Sequence, residues 1–233
     1  MSFIIRDLKT FADFSAAEKL QLDVWGRDDR PDPADLMMVV QHEGGLVAGA
    51  FQNETLIAYV FGFPTHEPGI QHSHRLAVAE SARGLGLATK LKWYQRDWCL
   101  QRGITMVRWT FDPLRAVNAN LNINRLGCTA GAYFVDYYGK MAGINDGAPS
   151  DRILAEWNLE SESVAAQARG ERLLPPPIRR SIRVPADFGA LLQHNQLTAL
   201  KERLRVRHEM TEAFASGLRI TGFDPKLLEY GLL

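Results

Sequence analysis

The feature that most constrains this chain is a strand that leads into a basic, glycine-containing turn and then into a long helix. The strand is predicted over residues 70–78, the turn is RGLG at residues 83–86, and the helix is predicted over residues 84–102. The first N–H groups of a helix have no partner within it and lie at the positive end of its dipole. With Arg83 beside them they predict a phosphate-binding site; the alternative is that both glycines only form a loop and begin the helix.

The glycine spacing excludes two common nucleotide-binding motifs. The segment GLGLA at residues 84–88 lacks the G-x-G-x-x-G spacing of dinucleotide-binding folds and the Gly-Lys-Ser/Thr of a nucleotide P-loop. It also follows a strand in the middle of the chain instead of opening a βαβ unit. The turn therefore predicts a phosphate site outside these two classes.

Strands and helices alternate through the first two thirds of the chain. A strand and a helix are predicted over residues 3–8 and 11–25, and two apolar runs with a short connection predict an antiparallel hairpin over residues 44–63. After the long helix, strands are predicted over residues 104–111, 128–138 and 153–159, with a helix over residues 115–126. This order predicts a mixed α/β sheet with helices on both faces.

A break in composition separates residues 1–160, the predicted main domain, from the rest of the chain. Residues 161–180 hold serines and the run Pro175-Pro176-Pro177, which favours an extended linker. Residues 181–233 are predicted to form a small, helix-rich C-terminal appendage, because they are few for an independent core. The longest helix of the appendage is expected to pack through Leu197, Leu200, Leu204 and His208. A basic nucleic-acid-binding face is the alternative, but nearby glutamates dilute its charge.

Charge and cysteine content narrow the partners and the compartment. The chain has 233 residues and a formal net charge of zero, so a dominant nucleic-acid or anionic-membrane partner is not expected. It has two cysteines, no CxxC motif, no signal-peptide pattern and no apolar run of about 18 residues. We therefore expect a cytoplasmic protein without a disulfide framework, a bound metal or a membrane span.

Two motifs at a suitable separation resemble the GNAT N-acyltransferase superfamily. Leu76-Ala77-Val78 followed by RGLGLA at residues 83–88 looks like its acyl-CoA signature, Q/R-x-x-G-x-G/A. Residues 118–128 resemble its later helix, which lies beside the pantetheine arm. The resemblance implies a GNAT-like fold over residues 1–160, with a mostly antiparallel twisted sheet, a splayed central strand pair and helices on both faces.

The resemblance also implies how the acyl donor, acetyl-CoA or another acyl-CoA, is bound. In that superfamily the strand before the turn pairs with the pantetheine amides, and the amides of the turn hold the pyrophosphate. By this comparison the pantetheine would lie against Leu76, Ala77 and Val78, and its distal part against Asn118 and Asn120. The pyrophosphate would be bound by Arg83, Gly84, Leu85, Gly86, Leu87 and Ala88.

Two histidines on the same strand are candidate catalytic residues. With a period of two, His72, His74, Leu76 and Val78 are expected to share one face. Acylation requires a neutral amine, and histidine, with an ordinary pKa of about 6.5, suits removal of the extra proton near pH 7. The pattern is similar to the paired histidines of arylalkylamine N-acetyltransferases, which implies that His74 takes the proton and His72 relays it. The alternative is that both are ordinary strand residues.

One departure from the superfamily concerns the general acid. Many members carry a tyrosine four residues before the glycine of the later motif, and here that position is Ile123. Isoleucine cannot protonate the CoA thiolate, so Tyr133, Tyr137 or Tyr138 is a candidate to replace it. Because the ordinary pKa of a thiol is only about 8.5, such an acid is helpful but dispensable.

Three further segments resemble an uncharacterised bacterial subgroup of the superfamily: residues 109–114 (WTFDPL), 138–141 (YGKM) and 149–152 (PSDR). In this resemblance Arg152 would clamp a substrate carboxylate; the alternative is an ion pair with Asp151 or a surface carboxylate. Asp112 is a candidate to bind the amine or, equally, a turn residue before a proline. Glu43 is another candidate base or a solvated loop charge.

Taken with the resemblance, these residues predict an N-acyltransferase that moves a short acyl group from CoA to a primary amine. Transfer is expected to be direct, because neither cysteine lies in the strand or the turn. The acceptor is expected to be a small-molecule amine or an amino acid, with no nucleic-acid or membrane partner. The sequence leaves both a monomer and a homodimer as alternatives. The alternative is a non-catalytic acyl-CoA sensor on the same fold; Ile123 favours the sensor and the histidines favour the enzyme.

Overall fold

The computed structural model describes residues 2–27, 30–139, 147–171 and 177–233. The chain divides into two compact units, residues 1–107 and 108–233, and each has its own architecture. Pro175 and Pro176 of the predicted linker, and Lys140 and Met141 of the subgroup resemblance, lie outside the described residues.

In the described part of the first unit, an antiparallel sheet is combined with α-helices. Its elements are β1 (Ile4–Asp7), α1 (Phe11–Trp25), α2 (Ala34–His42), β2 (Leu46–Gln52), β3 (Thr55–Pro64), β4 (Ile70–Val78) and α3 (Leu87–Leu100). The strands pair in chain order, and each pair is antiparallel. The predicted hairpin, the strand over residues 70–78 and the long helix after it are confirmed.

Local sequence explains where α1 begins and which face of the sheet it covers. The Thr10 hydroxyl accepts a hydrogen bond from the Asp13 N–H, and the Asp13 carboxylate accepts one from the Thr10 N–H, which is a capping box. The helix then buries Phe14 in a core cluster with Met37 of α2 and Phe61 of β3. Both α1 and α2 therefore lie on the face of the sheet that carries Phe61.

A β-bulge interrupts β4 in its middle. Phe61 of β3 is opposite Arg75, whereas the next residue of β3, Gly62, is opposite Ser73. His74 is therefore an extra residue in the ladder, and an extra residue shifts the alternation of faces along the rest of the strand.

The bulge corrects the expected distribution of the candidate residues. Directly opposite residues of paired strands place their side chains on the same face. His72 and Ala77 are opposite aromatic residues of β3, on the face covered by α1 and α2. Leu76 and Val78 are opposite aliphatic residues on the other face. The expectation that His72, His74, Leu76 and Val78 share one face is therefore wrong.

The second unit holds the remaining strands and helices. Its elements are β5 (Met106–Phe111, which begins just before the boundary), α4 (Ala116–Ala119) continuing into a π-helix (Asn120–Arg125), β6 (Thr129–Phe134), β7 (Arg152–Asn158), α5 (Glu162–Ala168), β8 (Arg180–Arg183), α6 (Phe188–His194), α7 (Gln196–Ala215), β9 (Ile220–Asp224) and β10 (Glu229–Leu232). The strand order is β5-β7-β6-β9-β10-β8, and the pairs from β7 to β8 are antiparallel. The expected mixed α/β class with a mostly antiparallel sheet is confirmed. Among the described residues, no helix is both long and apolar enough to cross a membrane.

The C-terminal part contains more regular structure than the sequence suggests. Residues 162–168 form α5 where the composition favours an extended linker, because the Ser161 hydroxyl caps the Val164 N–H at 3.4 Å. Strand β10 has no counterpart among the predicted elements. The division between the two compact units falls between residues 107 and 108. The predicted domain boundaries at residues 160 and 181 stay a prediction.

Helix α7 buries a different face from the predicted one. Leu197 and Leu204 of the predicted stripe are 66% and 47% exposed. The buried residues are Ala199, Arg203, Val206, Met210 and Ala213. Hydrophobic patterning misses this face because its largest member is an arginine that has a carboxylate partner in the core.

Candidate active site

The turn after β4 has a backbone that only glycine adopts easily. Gly84 and Gly86 have φ angles of +83° and +73°, and Gly86 immediately precedes the first residue of α3. A Cβ built on either glycine meets no heavy atom within 4 Å. The glycines are therefore required by the backbone conformation, and the space beside the turn is open to a ligand.

The residues of the turn differ in what they can offer to that ligand. Arg83 is exposed, and its distance of 3.8 Å to the still more exposed Glu80 makes a weak ion pair. Leu87 is buried and anchors α3 in the core, whereas Leu85 is 39% exposed. The turn thus combines an exposed cation with the unpaired N–H groups at the start of a helix, which is a suitable arrangement for a phosphate.

The two histidines of β4 lie against the aromatic side chains of β3. The His72 ring stacks on Phe63 with centroids 5.0 Å apart, and the His74 ring meets Phe61 edge-on at 5.5 Å. The centroids of the two histidine rings are 5.9 Å apart. The structure therefore brings the predicted pair together, and packing fixes both rings.

Asp32 is the carboxylate partner of His74, and the sequence analysis did not single it out. Its Oδ1 lies 3.2 Å from His74 Nε2, and its Oδ2 lies 2.9 Å from Arg75 Nε. The backbone of Asp32 is held by the buried Gln21, whose side-chain oxygen accepts the Asp32 N–H at 2.8 Å and whose amide donates to the Asp32 carbonyl at 3.2 Å. The bulge brings the consecutive residues His74 and Arg75 to one carboxylate, which a regular strand would not do.

The charge state of Asp32 follows from these contacts. Burial raises the pKa of its carboxyl, but the hydrogen bond and charge of His74 and the charge of Arg75 outweigh burial and lower the pKa below its ordinary value. Asp32 is therefore ionised at neutral pH. An ionised carboxylate beside Nε2 favours the tautomer in which that nitrogen carries the proton, and this leaves Nδ1 of His74 as the proton acceptor.

A cleft of about 380 Å³ opens beside this pair. Its wall is made of apolar side chains from α2 and β3, together with Asp32, His74 and Glu43. The residues that line it are Asp32, Leu36, Val39, Val40, Glu43, Phe61, Phe63, Pro64 and His74. The size and the few converging polar groups are typical of a small-molecule site.

Asp112 has a structural role in the second unit. It is buried, and its two oxygens accept hydrogen bonds from Arg203 Nη1 and Nη2 at 2.8 and 2.7 Å. Asp112 Oδ1 also accepts the Leu114 N–H at 2.9 Å, as expected of a turn residue. Because both oxygens are engaged, the turn interpretation accounts for Asp112, and we do not assign the amine to it.

Arg152 is 9% exposed and lies in the same buried region as Arg203. Its Nη1 donates to the Asp151 backbone carbonyl at 2.8 Å, and its guanidinium lies over the ring of Tyr138. The Asp151 carboxylate, which was the alternative partner, pairs instead with Arg207 at 2.8 Å. The role of Arg152 as a clamp for a substrate carboxylate stays a prediction.

The tyrosines considered as a replacement acid also belong to the second unit. Tyr133 donates to Asp151 Oδ2 at 2.6 Å, and burial together with this bond raises its pKa far above the ordinary value. Tyr138 is 55% exposed and its hydroxyl lies 3.2 Å from Thr110 Oγ1. Ile123 is 2% exposed, so the position of the usual tyrosine is part of the core. Burial and the bond to Asp151 therefore favour the protonated form of Tyr133, and its role as the acid stays a prediction.

Asn118 and Asn120 lie where α4 passes into the π-helix. Asn118 is exposed, and the Asn120 side-chain oxygen accepts a hydrogen bond from Asn124 at 2.8 Å. A π-helical turn changes which side chains share a face, and such turns occur often at functional sites. The assignment of Asn118 and Asn120 to the acyl donor stays a prediction.

Among the described residues, no group of three or more histidine, cysteine, aspartate or glutamate side chains is arranged to hold a metal ion.

Comparison with known proteins gives one family match and many structural matches. Residues 10–121 match the sequence model of the Acetyltransferase (GNAT) family. The ribosomal-protein-S18-alanine N-acetyltransferase from Escherichia coli is 19% identical, with a TM-score of 0.57 over 69% of this chain and 96% of that chain. Aminoglycoside 6′-acetyltransferase type Ii is 15% identical, with a TM-score of 0.57 over 68% and 99%. A GNAT superfamily phosphinothricin acetyltransferase from Sinorhizobium meliloti, in complex with AcCoA, is 15% identical, with a TM-score of 0.54 over 67% and 88%. No curated protein sequence matches significantly.

The fold and the family match together indicate the class of protein: residues 10–121 match the model of the GNAT acetyltransferase family. This segment contains β4, the glycine turn and α3. The solved structures, at their low identities, show a shared fold. The resemblance to the GNAT superfamily is confirmed, whereas the bacterial subgroup and the likeness of the histidine pair to arylalkylamine N-acetyltransferases stay predictions.

Proposed function

We propose that this protein is an acyl-CoA-dependent N-acetyltransferase that acylates a primary amine bound in the cleft beside His74. The observation that carries the proposal is the His74–Asp32 pair, which lines a cleft on the strand that leads directly into the open glycine turn. A base and an anion-binding turn on one continuous segment are the two parts that this reaction needs.

The turn fits the acyl donor in both conformation and charge. The pyrophosphate would be held by the N–H groups of residues 84–88 and by Arg83, since the space beside Gly84 and Gly86 is open. The strand residues Leu76, Ala77 and Val78 would pair with the pantetheine. When bound, acyl-CoA supplies the acyl group as a thioester. Structures of this fold with bound AcCoA, such as the phosphinothricin acetyltransferase, support this donor.

His74 would prepare the amine for reaction. A free primary amine is mostly an ammonium ion at pH 7, and it cannot attack until it loses a proton. His74 Nδ1 would accept that proton, while Asp32 holds the ring in position and stabilises the resulting imidazolium charge. His72, stacked on Phe63 beside His74, would pass the proton outward.

A pair of glycine variants tests the donor site. Gly86→Glu places bulk and negative charge in the open turn, and we expect it to abolish acetyl-CoA binding in calorimetry. Gly103→Glu is the matched control, because Gly103 also has a positive φ of +70° and open space around it, but lies beyond the opposite end of α3. Equal loss in both variants, or loss in neither, would argue against the turn as the donor site.

The second candidate function is an acyl-CoA sensor without turnover. The observation in its favour is Ile123, a buried apolar residue at the position where many superfamily members carry the acid. Release of CoA thiol in the presence of a broad panel of primary amines separates the two functions. A sensor binds acetyl-CoA and releases no thiol with any amine, whereas the enzyme releases it with at least one.

A further inference from the structure

The cleft beside His74 leaves apolar surface uncovered. Leu36 and Val39 on α2 are 48% and 54% exposed, although large apolar side chains on a helix that packs on a core are usually covered. Across the cleft lie Phe63 and Pro64, at the end of β3. A ligand that covers these side chains would remove apolar area from water on both sides.

The carboxylates Asp32 and Glu43 are the permanent charges among the described residues that line the cleft. Among the described residues that line it, the ionisable groups are Asp32, Glu43 and His74, and none is a lysine or an arginine. The nearby cation Arg75 is engaged with Asp32 at 2.9 Å and with the Arg30 carbonyl at 2.8 Å. Such a cleft attracts an ammonium group and repels a carboxylate.

Arg152, the residue predicted to clamp a substrate carboxylate, is not among the lining residues. It is buried in the second unit against Tyr138 and the Asp151 carbonyl. The described lining residues therefore contain no group that would recognise the carboxylate of an amino acid.

We propose that the acceptor is a hydrophobic primary monoamine: an ammonium group that meets Asp32 and His74, carried on an uncharged alkyl or aralkyl body that lies between α2 and the end of β3. This inference rests on the proposed acetyltransferase function and narrows its acceptor from small amines and amino acids to amines without a carboxylate. The apolar body would contribute affinity through Leu36, Val39 and Phe63, and Glu43 would exclude acceptors with a negative far end.

A series of simple amines tests the proposal. From n-propylamine to n-hexylamine we expect kcat/KM to rise about two- to fourfold per methylene group, because each methylene is removed from water. At equal length, 6-aminohexanoate should be at least tenfold poorer than n-hexylamine. It brings a carboxylate toward Glu43, and two like charges repel each other.

Two matched pairs of variants assign the effect to the cleft. Val39→Asn should flatten the chain-length dependence, whereas Met38→Asn should preserve it, because Met38 is similarly exposed on the same helix but does not line the cleft. Glu43→Arg should raise the ratio of kcat/KM for 6-aminohexanoate to kcat/KM for n-hexylamine by about tenfold. Glu54→Arg, the same charge change at the β2–β3 turn, should leave that ratio unchanged.

The outcomes separate this inference from the proposed function. Thiol release with a flat chain-length series, or with 6-aminohexanoate preferred, would overturn the hydrophobic acceptor and leave the acetyltransferase intact. If the amines bind in calorimetry with affinities in the predicted order but no thiol is released, the cleft preference is supported and the proposed enzymatic activity is overturned. Neither binding nor release with any monoamine would overturn both.

Discussion

At the scale of single residues, the role of His74 depends on a carboxylate that is 42 positions away in the sequence. The sequence could suggest His74, because a histidine two residues from another on a strand before a phosphate-binding turn is an informative pattern. It could not suggest Asp32, because an aspartate between two prolines is equally typical of a plain loop. The signal that identifies Asp32 is its three-dimensional position, which Gln21 fixes through the backbone.

Replacement of His74 tests its role as the base. His74→Gln should lower kcat/KM by about 10²–10⁴-fold and remove the limb of the pH profile near neutrality, while acetyl-CoA affinity stays unchanged. His66→Gln, at an exposed histidine with a side chain 89% accessible, is the control and should keep the wild-type profile. A wild-type rate and pH profile in His74→Gln would make Glu43 the next candidate.

A double-mutant cycle tests Asp32 as the residue that positions His74. Asp32→Asn should lower kcat in the wild-type background but cause little further loss in His74→Gln, because both substitutions disable one unit. Asp35→Asn, three residues further along and exposed, controls for loss of charge nearby. Full additivity of Asp32→Asn and His74→Gln would show that Asp32 acts independently of the histidine.

At the scale of secondary-structure elements, the strands and helices of the first unit follow from local patterns, but their facing does not. The helix over residues 11–25 and the strand over residues 70–78 appear with the predicted bounds, because their apolar periodicity and caps are local properties. The bulge at His74 depends on the register with β3, a non-local property, so a period-two argument assigns Leu76 and Val78 to the wrong face. In α7 the predicted apolar stripe is likewise not the buried face, because the burial of Arg203 depends on its distant partner Asp112.

The ion pair that holds α7 should be sensitive to the loss of one partner. Arg203 and Asp112 have side chains 2% and 9% exposed, so Arg203→Met should leave an uncompensated buried carboxylate and cost about 3–5 kcal/mol in the free energy of unfolding. The double variant Arg203→Met/Asp112→Asn should recover much of this loss in denaturant titration. The absence of recovery would show that packing of the arginine, rather than its charge, holds the helix.

The neighbouring pair Asp151–Arg207 predicts a pH dependence of stability. Burial raises the pKa of Asp151, but the hydrogen bonds from Arg207 and Tyr133 outweigh it, and the pKa is below the ordinary 3.8. A carboxyl whose folded-state pKa is lowered stabilises the fold fully above its unfolded pKa, and this stabilisation is lost as the pH falls through the folded value. The free energy of unfolding of the wild type, measured with urea, should therefore fall below about pH 4. Its dependence on pH should be less steep in Asp151→Asn. Glu171→Gln, at an exposed ion pair, should retain the wild-type slope.

At the scale of the whole molecule, the C-terminal residues belong to the second compact unit. Strand β9 pairs with β6, the Tyr230 hydroxyl donates to the Pro113 carbonyl at 2.8 Å, and α7 supplies the arginines that neutralise Asp112 and Asp151. The composition break near residue 160 predicts a boundary, but composition does not report long-range pairing of this kind.

A shortened chain tests this integration. A protein that ends at Glu160 would leave Asp112 and Asp151 buried without their cations and the β6 edge without β9, and we expect it to aggregate or to lose cooperative thermal unfolding. The matched control is a chain that ends at Leu232 and so removes only the last residue. If the Glu160-terminated protein stays monomeric and fully active, the tail is dispensable and the predicted boundary at residue 160 is a domain boundary.

The bulge in β4 also has a consequence for anyone who wishes to redesign acceptor choice. A combinatorial library laid out on alternate positions 72, 74, 76 and 78 would place half of its varied positions on the face of the sheet away from α1 and α2. The positions that share the face of α1 and α2 are even-numbered before the bulge and odd-numbered after it, as His72 and Ala77 illustrate. Deletion of His74, the extra residue of the bulge, would restore a uniform alternation, and it would also remove the histidine that pairs with Asp32.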